Sequence, residues 1–213
     1  MRRRSTTLFL CLTLTALLAA CSTAAPAASV SPSPSAAAPQ RIEDFFHGDP
    51  DAALEQLAPL IGSVCCASCN YDGFDGVPSE NYAWLLAYTM LNTYEQVPSP
   101  TAIQGDTIVL SQDEMLSLFN DCFATKFTQL PAIGQAYAGN AILYDAEQHT
   151  YTFQRATGEN YVPTIVETTL LENGHVQLVC DVRGIDEQIL DRISMELVQD
   201  SSSQYGYSIA CSQ

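Results

Sequence analysis

Three cysteines within five residues, Cys65-Cys66-Ala67-Ser68-Cys69, are the densest reactive chemistry in the sequence. A thiolate is a nucleophile, a soft metal ligand and half of a disulfide, so the cluster supports three chemistries. Cys65, Cys66 and Cys69 are candidates for oxidative pairing with one another or with Cys122, Cys180 or Cys211. Cys66 and Cys69 have the Cys-x-x-Cys spacing of zinc-binding turns, and Cys65 or His47 would add a ligand. No later Cys-x-x-Cys or His-x-x-x-His pair completes such a site. An exchanging dithiol uses the same spacing at a helix start after a strand, whereas this motif is expected after a helix and before a glycine-rich loop. Asn70, Asp72, Asp75 and Gly76 offer oxygens in that loop, but their spacing is not that of the twelve-residue EF-hand and the closing glutamate is missing. His47, His149 and His175 fall in predicted loops or strand edges, with no recognisable nucleophile beside them. There is no nucleophile elbow, phosphate-binding glycine loop or metalloprotease helix motif. The sequence therefore singles out no catalytic residue, no cofactor and no metal.

A different cysteine carries a sharper signal. Arg2, Arg3 and Arg4 precede an apolar run from Leu8 to Leu18, which closes in Leu18-Ala19-Ala20-Cys21. Positive charge, a short apolar core and small residues before a cleavage point define an export signal. The core is shorter than the ~20 residues that span a bilayer as a helix, and Thr13 and Thr15 interrupt it. Residues 18–21 resemble the lipobox of bacterial lipoprotein precursors. That resemblance implies that the Cys21 thiol receives a diacylglycerol, that residues 1–20 are removed as a signal peptide, and that the new amino group is open to a further acyl chain. Membrane attachment through lipid on Cys21 is the implied role. Its implied location is the extracytoplasmic face of the cell membrane, within the envelope. No segment after Cys21 is expected to be long and apolar enough to span.

Composition divides the rest. Residues 21–40 are almost entirely Ala, Ser and Pro and lack the periodicity that buries a face, so they are expected to form a tether. Its reach is roughly 60 Å stretched and roughly 25 Å as a flexible coil. Residues 41–213 are long enough for one hydrophobic core without metal or disulfide staples, and one domain is expected. After Cys21 there are five basic residues (Arg41, Lys126, Arg155, Arg183 and Arg192) against all 24 acidic ones, a net charge of −19. That balance argues against a nucleic-acid partner or binding through a basic surface.

The elements that must position the thiols are legible by period. Asp49-Pro50 starts a helix with Leu54, Leu57, Ala58 and Ile61 at helical spacing, and Gly62 marks its expected end. A second helix starts near Ser79, with Trp84, Tyr88, Leu91 and Tyr94 as one stripe. Ser111 and Glu114 form a capping box for a third, whose buried face is Met115, Leu118, Phe119, Cys122 and Phe123. From about Asn140 the period becomes two. Strands are expected at 141–144, 151–155 and 161–171, with a turn at 156–160 between the last two. A type I′ turn is expected at Asn173-Gly174, then alternating strands through Val182, Leu197 and Cys211. A short helical connection is a second reading of 186–191. Cys122, Cys180 and Cys211 each fall on an apolar face.

Helices over 41–130 followed by a sheet over 140–213 predict an α+β fold, with N-terminal helices packed on a curved antiparallel meander sheet. That order resembles the nuclear transport factor 2-like superfamily in architecture, and the resemblance implies a concave sheet able to hold a pocket. Tyr151, Phe153, Tyr205 and Tyr207 are placed either to line such a pocket or to fill it. Enzymes, binding modules and domains of no known activity share that architecture, so function does not travel with it. The expectation is an anchored, non-catalytic binding or interaction module whose partner is a small apolar ligand or another envelope protein. An envelope enzyme with a pocket-borne acid or base and a structural envelope lipoprotein are the alternatives.

Overall fold

The computed structural model describes residues 41–137, 139–155, 162–184 and 187–213. The expected signal and tether, and the expected turn at 156–160, lie outside the described residues. A short helix α1 (Ile42–Phe45) precedes α2 (Pro50–Asn70), and the Asp49 side chain caps α2 by accepting from Ala52 N–H at 3.0 Å. The helix does not stop before Gly62. Although Pro59 and Gly62 both weaken a helix interior, tertiary packing carries α2 through them. At Gly62 the missing side chain is the point of contact, because a Cβ there would sit 1.7 Å from Tyr94 Oη. Cys65, Cys66 and Cys69 consequently lie on the last turns of a helix and not in a loop after one.

This extension also corrects the expectation about spanning segments. Among the described residues, α2 is long and apolar enough to cross a membrane by length and composition. Its apolar face is instead packed: Leu57, Leu60, Ile61 and Val64 are buried where α2 lies on the larger sheet. Burying each such side chain contributes about 1.5–3 kcal/mol relative to exposure, which ties α2 to the core.

The other two helices begin where their caps place them. Ser79 caps α3 (Glu80–Asn92), and Ser111 caps α4 (Gln112–Cys122), where the Glu114 carboxylate in turn accepts from Ser111 N–H at 2.7 Å. Tyr94 lies beyond α3, and Phe123 is buried just past α4.

The fold class is α+β with two antiparallel sheets, not one meander. The larger sheet has the order β1 (Phe74–Asp75), β9 (Tyr207–Ser212), β8 (Ile189–Gln199), β7 (Val176–Arg183), β6 (Val162–Leu170). The smaller has the order β2 (Ile103–Gln104), β3 (Thr107–Ser111), β5 (Thr150–Gln154), β4 (Ile142–Asp145). Half of the smaller sheet therefore comes from the part of the chain read as helical, so the division into helices over 41–130 and sheet afterwards is corrected. The reason is pairing: β3 is only five residues long and is completed by β5, about forty residues further on. Strand β8 starts at Ile189, which replaces a helical connection there. The turn between β6 and β7 also differs from expectation. Leu171 and His175 still pair, leaving a three-residue loop in which Gly174 alone takes positive φ (+82°) while Asn173 Oδ1 accepts from His175 N–H at 3.0 Å. Such a type I turn closed by a left-handed glycine is the usual three-residue hairpin.

One core serves both sheets. Helix α4 lies against β9, β3 and β5, and α3 lies against α2 and α4. Trp84 is wholly buried between them, with ring centroids 5.2 Å from both Phe119 and Tyr151 and its indole N–H donated to Ala132 O at 2.8 Å.

Candidate functional site

On α2, consecutive residues are ~100° apart, so the three clustered cysteines cannot converge. Cys65 faces the larger sheet, is wholly buried and lies beside the thiol of Cys180 in β7. Cys66 turns toward α3, where the Thr89 hydroxyl donates to its Sγ at 3.5 Å. Cys69 is half-buried in the last turn, near Asp191. Between them Ser68 Oγ lies 3.0 Å from Tyr82 Oη and 3.3 Å from Ser212 Oγ, and those two partners are 2.9 Å from each other. This hydroxyl triangle ties α2, α3 and β9 together at three otherwise costly buried oxygens.

All six described cysteines are unbonded. The neighbouring Cys180 thiol, and then burial, push the Cys65 thiol far above its usual range. Burial raises Cys66 and pushes Cys69 up to about 11, with the Asp191 charge adding to the latter. Burial likewise raises Cys122, which is wholly enclosed. Thiols held up in this way are protonated and weakly nucleophilic at neutral pH, so the cluster lacks the electrostatics of an exchanging dithiol. Among the described residues, no three His, Cys, Asp or Glu side chains come together as a metal would need. His47 sits in the α1–α2 loop, away from the cysteine end of α2, so it is not brought to the cluster. The Asn70–Gly76 loop is used structurally: Asn70 donates to Cys66 O at 2.8 Å, and Phe74 and Asp75 pair with β9.

Cys211 departs from the expected apolar face. In β9 the register slips between Ile209, which opposes Leu197, and Cys211, which opposes Glu196. That bulge turns Cys211 to the outer face and Ser212 inward. Burial and the adjacent Glu196 charge push the Cys211 thiol up to about 11.

The strongest electrostatic cluster is one that motif reading does not reach. Lys126, the single lysine of the chain, donates to the carbonyls of Asn120 and Phe123 at the end of α4, to Asp200, and to Ser208 Oγ at 3.4 Å. Asp200 also accepts from Ser202 N–H at 3.0 Å and from the hydroxyls of Ser202 and Ser208. Burial opposes the Asp200 charge, but Lys126 and the serine donors outweigh it and hold the carboxyl well below the usual aspartate range. A cation just past a helix C-terminus and an acid in the turn before the last strand were the available signals. Ser208 is wholly buried and the Lys126 ammonium is paired with Asp200, so the trio lacks an accessible nucleophile and a free base.

Several clefts indent the surface formed by the described residues. An open one of about 520 Å³ lies between the α1–α2 loop and the β8–β9 turn, lined by Phe46, His47, Asp49, Gln56, Tyr205 and Tyr207. A second, of about 340 Å³, carries Glu95, Glu114 and Asp121. Each of these acids already has structural work: Glu95 pairs with Arg155 at 3.3 Å, Glu114 closes the capping box, and Asp121 accepts from Gln204 N–H at 3.0 Å. Burial raises the Asp121 carboxyl, with Gln204 and Lys126 opposing. A third, of about 210 Å³, is lined by Leu91, Val97, Ile103 and Ile108 with Arg155 at its rim. Tyr151, Phe153, Tyr205 and Tyr207 are all buried; the first two fill the core, while Tyr205 and Tyr207 also wall the open cleft. No family model, curated protein or solved structure matches this chain.

Proposed function

We propose that this chain is a bacterial lipoprotein of the cell envelope, anchored by lipid on Cys21, whose α+β domain acts as a non-catalytic binding or interaction module on the extracytoplasmic side. The observation that carries the anchoring is the succession Arg2-Arg3-Arg4, an apolar core and Leu18-Ala19-Ala20-Cys21. What supports a binding role over an enzyme is the state of the polar groups. The acids at the clefts are committed to a cap, an ion pair and a backbone hydrogen bond, and the clustered thiols Cys65, Cys66 and Cys69 are held up in pKa. The open cleft at His47 is the favoured binding surface, because its Tyr207, His47 and Gln56 side chains suit a small aromatic or apolar ligand with a polar edge.

Intact mass of the protein extracted from its native membrane tests the anchor. The expected mass is that of residues 21–213 plus acyl chains, and Cys21→Ser is expected to move the protein out of the membrane fraction. An unlipidated product, or a Cys21→Ser protein that stays membrane-bound, would overturn the reading.

A further inference from the structure

Two thiols from distant parts of the chain meet in the core. Cys65 and Cys180 are 115 residues apart in sequence. Cys65 lies on the face of α2 that packs against β6 and β8. Cys180 lies in β7 between those two strands, opposite Ile165 on one side and Ile193 on the other. Both residues are wholly buried, and each thiol lies near enough to the other to shift its ionisation. The other described cysteines are placed differently: Cys66 turns to Thr89, Cys69 reaches the surface, Cys122 is enclosed at the end of α4, and Cys211 faces outward beside Glu196.

We propose that Cys65 and Cys180 are the disulfide-forming pair, closing to clamp α2 onto β7 when the chain meets a disulfide oxidant. The inference rests on the export reading, since extracytoplasmic compartments supply such oxidants. The thiolate of either cysteine attacks the oxidant's S–S bond, giving a mixed disulfide and one free thiol. The second cysteine's thiolate then attacks the mixed disulfide at its partner's sulfur, forming the Cys65–Cys180 bond and releasing the second oxidant thiol. The two cysteines lose two protons and two electrons, and the oxidant gains both. Because both sulfurs are shielded in the folded domain, closure takes place while α2 and the larger sheet are docking. Burial afterwards excludes reductants. Fixing a loop of this length restricts the unfolded chain strongly.

The test refolds the full chain from denaturant in a glutathione redox buffer, quenches with acid, alkylates under denaturing conditions and maps peptides without reduction. The expected product is one cross-linked peptide pair containing Cys65 and Cys180, with Cys11, Cys21, Cys66, Cys69, Cys122 and Cys211 alkylated. The oxidised protein is expected to melt about 10 °C above the same chain refolded in dithiothreitol. Alkylated Cys65 and Cys180, either residue bonded elsewhere, or equal melting temperatures would overturn the proposal. The N-terminal peptide of protein taken from its native membrane tests export separately: a retained Arg2–Arg4 segment defeats the export reading and leaves the mapping result standing.

Discussion

Lys126 shows how one side chain can hold three elements. Its ammonium closes the C-terminal carbonyls of α4, neutralises Asp200 in the turn after β8, and reaches Ser208 in β9. Asp200 is mostly shielded, with 14% of its side chain exposed, so removing the cation leaves a poorly solvated carboxylate. Lys126→Met is expected to cost about 2–3 kcal/mol, read from urea unfolding at pH 7. The same pair predicts an acid dependence. The folded carboxyl lies below its ordinary value of 3.8, so its stabilising contribution is complete above that value and is lost as pH falls through it and below. Unfolding followed from pH 6 to pH 2.5 is expected to show a shallower decline in Lys126→Met than in the parent chain. Parallel declines would mean that other carboxylates carry the acid sensitivity. The sequence showed only the separate parts, a cation past a helix end and an acid in a turn, because the members come from three segments whose meeting depends on β9 docking against α4.

At the scale of elements, the segment leading into β1 approaches the backbone of β9 closely. A Cβ on Gly73 would lie 2.0 Å from the carbonyl oxygen of Ser212, and backbone cannot swing aside as a side-chain tip can. Gly73→Ala is expected to cost about 3 kcal/mol through displacement of β1 from β9, with the Tyr82–Ser212 hydrogen bond disturbed alongside. Thermal unfolding measures it, and a variant as stable as the parent would show that β1 is dispensable. Local signals were read correctly where the chemistry is local: Asp49, Ser79 and Ser111 each cap the helix that follows, because a cap needs only its own next three residues. Signals failed where a distant partner decides. Gly62 reads as a stop until Tyr94 occupies the space above it. Thr107–Ser111 reads as the approach to a helix until β5 supplies its ladder. Cys211 reads as inward until the bulge against Glu196 turns it over. The cysteine site follows the same division, since clustering at 65–69 is visible in the sequence while the choice of Cys180 as the partner of Cys65 depends on how α2 lies across the sheet.

At the scale of the whole molecule, the governing quantity is charge. Residues 21–213 carry five basic and 24 acidic side chains, and the ion pairs of Arg41, Lys126, Arg155 and Arg192 use up most of the available cations. The remaining carboxylates repel one another across a surface with few counterions of its own. Such self-repulsion opposes the compact state more than the expanded one, and it acts over distances that salt screens. The melting temperature is therefore expected to rise by a few degrees between about 10 and 200 mM sodium chloride, with the Debye length falling from about 30 Å to under 10 Å. The Lys126–Asp200 pair works in the opposite direction, since screening weakens attraction as well as repulsion, but its partial burial limits that loss. A melting temperature that falls with salt would mean that specific pairs outweigh the net charge, and Lys126→Met would then remove most of the fall.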